Sequence, residues 1–95
     1  MQIKDFQRVI RDIYFDRDCR RGADRTFLWF LEEVGELTRA YRRNEPNTGE
    51  EMADVVAWLV STANLLGIDL EAEINRKYPG KCPLCSGVPC QCPPK

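Results

Sequence analysis

The chain has no apolar run approaching the roughly 20 residues that a membrane-spanning helix requires, and its start, Met1-Gln2-Ile3-Lys4-Asp5, has no signal-peptide apolar core. These absences argue against a helical membrane protein and set the expectation of a cytoplasmic one. A basic field is missing too. With 14 Lys and Arg against 15 Asp and Glu, the formal net charge is −1, so nothing draws the whole chain onto nucleic acid and no nucleic-acid partner is expected. Internal repeats, alternating strand patterns and low-complexity tracts are absent before the C-terminal tail, which leaves helical periodicity as the organising signal.

What is present fits one small domain. Ninety-five residues provide only a modest core, so much apolar surface stays exposed unless chains associate. Residues 2 to 20 carry Ile3, Phe6, Val9, Ile10, Ile13 and Tyr14 at spacings of three or four, the pattern of an amphipathic helix. Asp24 is expected to cap a second helix running from Arg25 to Arg43, whose last turn is rich in arginine. Asn44-Glu45-Pro46-Asn47-Thr48-Gly49 reads as a loop. A third helix is expected from Glu50 to Leu66, closed by Gly67. Its stretch Val55-Val56-Ala57-Trp58-Leu59-Val60 is apolar on nearly every side and so expected to be covered all round. Asp69 should cap a short fourth helix ending near Tyr78, before Pro79-Gly80. The expected fold is therefore an all-α antiparallel helical bundle of about four helices per chain. It would be completed by oligomerisation, as a homodimer or homotetramer, with residues 1–79 as the helical domain and 80–95 as an irregular Cys-rich tail.

Two acidic motifs carry the chemistry. Glu32-Glu33-Val34-Gly35-Glu36 lies within the second helix and Glu50-Glu51-Met52-Ala53-Asp54 opens the third. Glu33 and Glu36 share one side of their helix, as do Glu51 and Asp54. On the helical wheel Glu33 falls among Trp29, Phe30, Leu37 and Ala40, and Asp54 among Trp58, Ser61 and Leu65. Ionised carboxylates in such a stripe are costly unless compensated, and no lysine or arginine of either helix shares the face. A bound cation is the economical compensation, and hard oxygen ligands suit Mg²⁺ or Mn²⁺. An alternative is that these acids favour a helix dipole or form a solvated face. That reading suits Glu50 and Glu51 at a helix start better than Glu33 and Glu36 in mid-helix.

The order E-E-x-x-E, loop, E-x-x-D resembles the MazG-like all-α nucleoside triphosphate pyrophosphohydrolases. The similarity extends over Trp29 to Leu37, Glu51 to Leu59 and Ala63 to Leu70, with Lys77-Tyr78, and covers residues 1 to 80. The resemblance implies hydrolysis between the α and β phosphates, giving a nucleoside monophosphate and pyrophosphate. It also implies Mg²⁺ held by Glu33, Glu36, Glu51 and Asp54, with Glu32 and Glu50 as supporting acids or ligands to a further ion, and a glutamate among Glu32, Glu33 and Glu36 orienting or deprotonating the attacking water. Non-canonical nucleotides are one substrate class this would serve. Arg76 and Lys77, with Arg42 and Arg43, are the candidate phosphate cations. Trp29 and Trp58 are core residues that could also stack on a base. Two alternatives stand beside this reading, a phosphoribosyl-ATP pyrophosphatase and a non-catalytic zinc-binding adaptor.

Four of the five cysteines fall in the last fourteen residues. Cys82-Pro83-Leu84-Cys85-Ser86-Gly87 looks like a zinc knuckle, and Cys90-Gln91-Cys92 could supply a second pair of thiolates. A Zn²⁺ site, a disulfide-linked tail and a disordered tail are the three possibilities. Cys19 reads as a packing residue.

Overall fold

A computed structural model describes residues 1–95 and consists of four α-helices with no strand: α1 (Ile3–Arg21), α2 (Ala23–Arg42), α3 (Thr48–Leu66) and α4 (Leu70–Lys77). The all-α fold with a Cys-rich irregular tail is thus as expected. No single helix is long and apolar enough to cross a membrane. The dominant packing joins α2 to α3 across the short loop 43–47, so the two acidic helices form an antiparallel hairpin. Helix α1 lies along α3, and α4 packs on α1.

One boundary differs from expectation for a clear reason. Helix α2 starts at Ala23, and the capping position belongs to Gly22 rather than Asp24. Gly22 has φ +88° and ψ 161°, a region open essentially to glycine alone. It closes α1 through its own N–H to the Asp18 carbonyl and opens α2 through its carbonyl to the Thr26 N–H. Two helices therefore meet at one residue, and Asp24 instead sits in the first turn, where its charge favours the helix dipole. Helix α3 likewise starts two residues early, at Thr48, whose hydroxyl donates to the Glu45 carbonyl at 2.8 Å. Gly67 closes α3 in the left-handed conformation (φ +68°) and the Asp69 side chain accepts from the Ala72 N–H, both as expected.

The buried residues concentrate where α1 and α2 meet α3. Ile10, Thr26, Ala40 and Val60 to Asn64 are buried, and Asp18 is only 2% exposed. Asp18 accepts an ion-pair hydrogen bond from Arg21 at 2.8 Å, and the same guanidinium donates to the Thr26 hydroxyl, so a polar joint locks the Gly22 corner. A second joint is built on Gln7. Its amide donates to the Ile68 carbonyl and accepts from the Leu70 N–H, which pins the α3–α4 turn to α1.

The expectation that Val55–Val60 is covered on all sides does not hold within one chain. Val56 and Leu59 are exposed, as are Phe27, Leu28, Leu31 and Leu66. Three helices around a fourth segment leave part of the hairpin bare, and Phe27, Leu28 and Leu66 line one shared surface hollow.

Because Asp18 binds a guanidinium inside the joint, Asp18→Ala is expected to cost about 2 kcal/mol. Urea denaturation followed by circular dichroism measures it; a midpoint equal to wild type would show that the joint contributes nothing to stability.

Candidate active site

The hairpin brings together acids that are distant in sequence. Glu33 and Glu36 project from one side of α2 because they are one helical turn apart, and Glu51 reaches the same place from the first turn of α3. Carboxylate oxygens of these three residues lie within 4.8 Å of one another. Each is half-buried, and Glu33 Oε2 and Glu51 Oε2 are fully buried with no hydrogen-bond partner. The other Glu51 oxygen accepts from the Asn47 amide at 3.3 Å. None of the three acids, nor Asp54, is engaged in an ion pair.

Crowding shows in the proton equilibria. Partial burial, then the carboxyl contact with Glu36, then the charges of Glu36, Asp54 and Glu51 raise Glu33 from an ordinary 4.5 to about 7. Glu51 is raised too, by desolvation and then by Glu36, Asp54, Glu50 and Glu45. A cluster that repels its own charge and leaves two buried oxygens unpartnered fits a hard divalent cation.

The remaining sequence candidates fall around this triad unevenly. Asp54 is exposed and stands outside the tight group, although its charge reaches both Glu33 and Glu51. Instead it borders a cleft of about 300 Å³ lined also by Tyr14, Arg17, Asp18, Arg21 and Trp58. Glu32 and Glu50 are exposed. Glu32 shares with Glu36 and Arg39 the lining of a shallow hollow on α2. Trp29 and Trp58 stack on each other, with ring centroids 6.0 Å apart and planes inclined by 23°. The Arg21 guanidinium lies over Trp58 at 4.8 Å from the centroid, so the face of this ring is partly engaged.

The cations near the acids are not the ones that the sequence put first. A cleft of about 290 Å³ beside the triad is lined by Glu36, Arg39, Ala40, Arg43, Glu45 and Glu51. Arg43 was a sequence candidate and Arg39 was missed. Arg39 lies one turn beyond Glu36, a spacing that would have found it. Arg76 and Lys77 line none of the clefts bordered by Glu36, Glu51 or Asp54. Arg76 pairs with Glu73 and Lys77 lies over Tyr78, on a helix packed against α1.

The tail forms a separate second cluster, in which the thiols of Cys82, Cys85, Cys90 and Cys92 converge. All four are free, as is Cys19, which is exposed rather than packed.

The raised Glu33 value predicts a pH dependence of fixed sign. Between pH 4.5 and about 7 the folded chain retains a proton that the unfolded chain has released, so the stability of metal-free protein falls as pH rises through that window. Divalent cation replaces the proton, so stabilisation by Mg²⁺ grows over the same range. Melting temperatures in chelator and in Mg²⁺ at pH 5 and pH 8 test this. A metal-free protein equally stable at both values would contradict the crowding.

Comparison with known proteins agrees with the geometry. No curated protein matched the chain. A family model, the MazG nucleotide pyrophosphohydrolase domain, matches residues 21–86, a span that contains both acidic helices, their connecting loop and α4. On that match, which covers most of its length, the chain belongs to the MazG nucleotide pyrophosphohydrolase family.

Proposed function

We propose that this chain is a Mg²⁺-dependent nucleoside triphosphate pyrophosphohydrolase that cleaves between the α and β phosphates, with Mn²⁺ able to substitute. The observation that carries the reading is the convergence of Glu33, Glu36 and Glu51 with two buried, unpartnered carboxylate oxygens. These three residues, joined by Asp54, would hold the ion. When bound, Mg²⁺ neutralises triphosphate charge and lowers the pKa of coordinated water. The chain's own groups do the rest. Arg39 and Arg43 flank Glu36 and Glu51 and offer guanidinium donors to phosphate oxygens, which positions the triphosphate across the acids. A first-motif glutamate takes the proton of the attacking water as it adds to the α phosphorus. Pyrophosphate leaves and the nucleoside monophosphate remains.

The cleft of Tyr14, Arg17, Arg21, Asp54 and Trp58 offers an aromatic wall and two guanidinium groups beside one candidate metal ligand, which supports its use by the nucleoside part. Exposed Phe27, Leu28, Leu31, Val56, Leu59 and Leu66 support a homodimer or homotetramer that buries the bare side of the hairpin.

A panel of ordinary and modified nucleoside triphosphates and phosphoribosyl-ATP with Mg²⁺ tests the reaction. Pyrophosphate is the expected product, and Glu36→Gln should lower kcat at least about a hundredfold with the helices intact. Release of orthophosphate alone excludes α,β cleavage, and an inactive wild type with either cation favours a binding role. Light scattering tests assembly. Leu28→Glu is expected to shift an oligomeric wild type to monomer, and a monomeric wild type would contradict the proposal.

A further inference from the structure

The acidic site leaves the C-terminal cysteines unused. We propose that Cys82, Cys85, Cys90 and Cys92 form a single-ion, all-thiolate Zn²⁺ site that folds the tail independently of the Mg²⁺ chemistry on the hairpin.

The distances are those of a coordination tetrahedron. Zinc–thiolate bonds of about 2.3 Å place the sulfurs of a regular tetrahedron about 3.8 Å apart. Cys82 Sγ and Cys92 Sγ are 3.8 Å apart, Cys85 Sγ and Cys90 Sγ 3.9 Å, and all four lie within 4.8 Å of one another. Disulfide partners would stand about 2.05 Å apart, so the sulfurs are grouped as ligands around a point rather than as bonded pairs.

Backbone amides are aimed at the same sulfurs. Cys85 Sγ accepts from the Gly87 N–H at 3.4 Å and the Gln91 N–H at 3.2 Å, and Cys90 Sγ accepts from the Cys92 N–H at 3.3 Å. Such donors favour thiolate over thiol and orient the sulfur lone pairs. Their approach requires a glycine. A Cβ at Gly87 would stand 2.7 Å from the Pro89 carbonyl oxygen and 3.3 Å from Cys85 Sγ. The turn is closed by Cys82 N–H to the Gly87 carbonyl and Ser86 N–H to the Cys82 carbonyl.

Chemistry selects the ion. The chain contains no histidine, and residues 79–95 contain no carboxylate side chain, so the thiolates are the only anionic side-chain ligands there. Four soft ligands in a tetrahedron suit zinc and reject Mg²⁺. Binding releases the thiol protons and leaves the site with charge −2, in a sequence stretch, residues 76–95, that has Arg76, Lys77, Lys81 and Lys95 and no acidic side chain. None of residues 80–95 is buried, so no apolar core holds the loop and ligation would supply its folding energy. Cys82 and Cys85 lie within the family match at residues 21–86, and Cys90 and Cys92 lie beyond it.

Full-length protein purified under reducing conditions without chelator tests the proposal by elemental analysis and by Co²⁺ exchange. One zinc per chain is expected, with tetrahedral d–d bands and thiolate charge-transfer absorption after Co²⁺ exchange. Cys85→Ser/Cys90→Ser should lose the metal and those bands while keeping the helical circular dichroism, and Glu33→Gln should keep its zinc. Metal-free wild type that gives only octahedral Co²⁺ spectra, mapped disulfides among these cysteines, or stoichiometric iron would each overturn it. So would zinc lost with Glu33→Gln but retained in the cysteine variant.

Discussion

Glu33, Glu36 and Glu51 repel one another across the packed faces of α2 and α3, yet that same packing is the largest helix–helix contact in the fold. The hairpin cannot close without bringing the carboxylates together, and partial burial removes the water that would screen them. The chain relieves this in part by leaving Glu33 protonated up to about 7. Two oxygens stay buried without partners even so. A fold that concentrates uncompensated negative charge at its strongest contact stores a binding energy for cations, and the surrounding guanidinium groups of Arg39 and Arg43 extend that preference to anionic groups carried by the cation.

Much of this was readable in the residues because it rests on local periodicity. The spacing of three in both acidic motifs, the Gly67 terminus and the Asp69 cap are helix properties that a neighbouring turn decides. What local periodicity does not show depends on tertiary partners. Asp24 has the chemistry of a cap, but the chain reverses at Gly22, in a conformation that only the meeting of two helices demands. Asp18, Thr26 and Gln7 look like ordinary surface residues until α1 meets α2 and the α3–α4 turn. To the phosphate cations named from the sequence, Arg76 and Lys77 with Arg42 and Arg43, the hairpin adds Arg39, and it sets Arg39 and Arg43 beside the acids. The apolar girdle of α3 was expected to be covered all round, and one chain covers only part of it, leaving Val56 and Leu59 exposed.

Hard and soft donors are kept apart along the chain. Carboxylates alone converge on the hairpin and thiols alone in the tail. Ions that prefer oxygen and ions that prefer sulfur therefore have no shared site to contest.

Manganese binding measures the central interaction directly, through loss of the free-ion electron paramagnetic resonance signal. Saturable binding at neutral pH, weakened at least about tenfold in Glu33→Gln, is the predicted result. Equal Mn²⁺ affinity in wild type and Glu33→Gln would contradict a metal site built on the buried carboxylates.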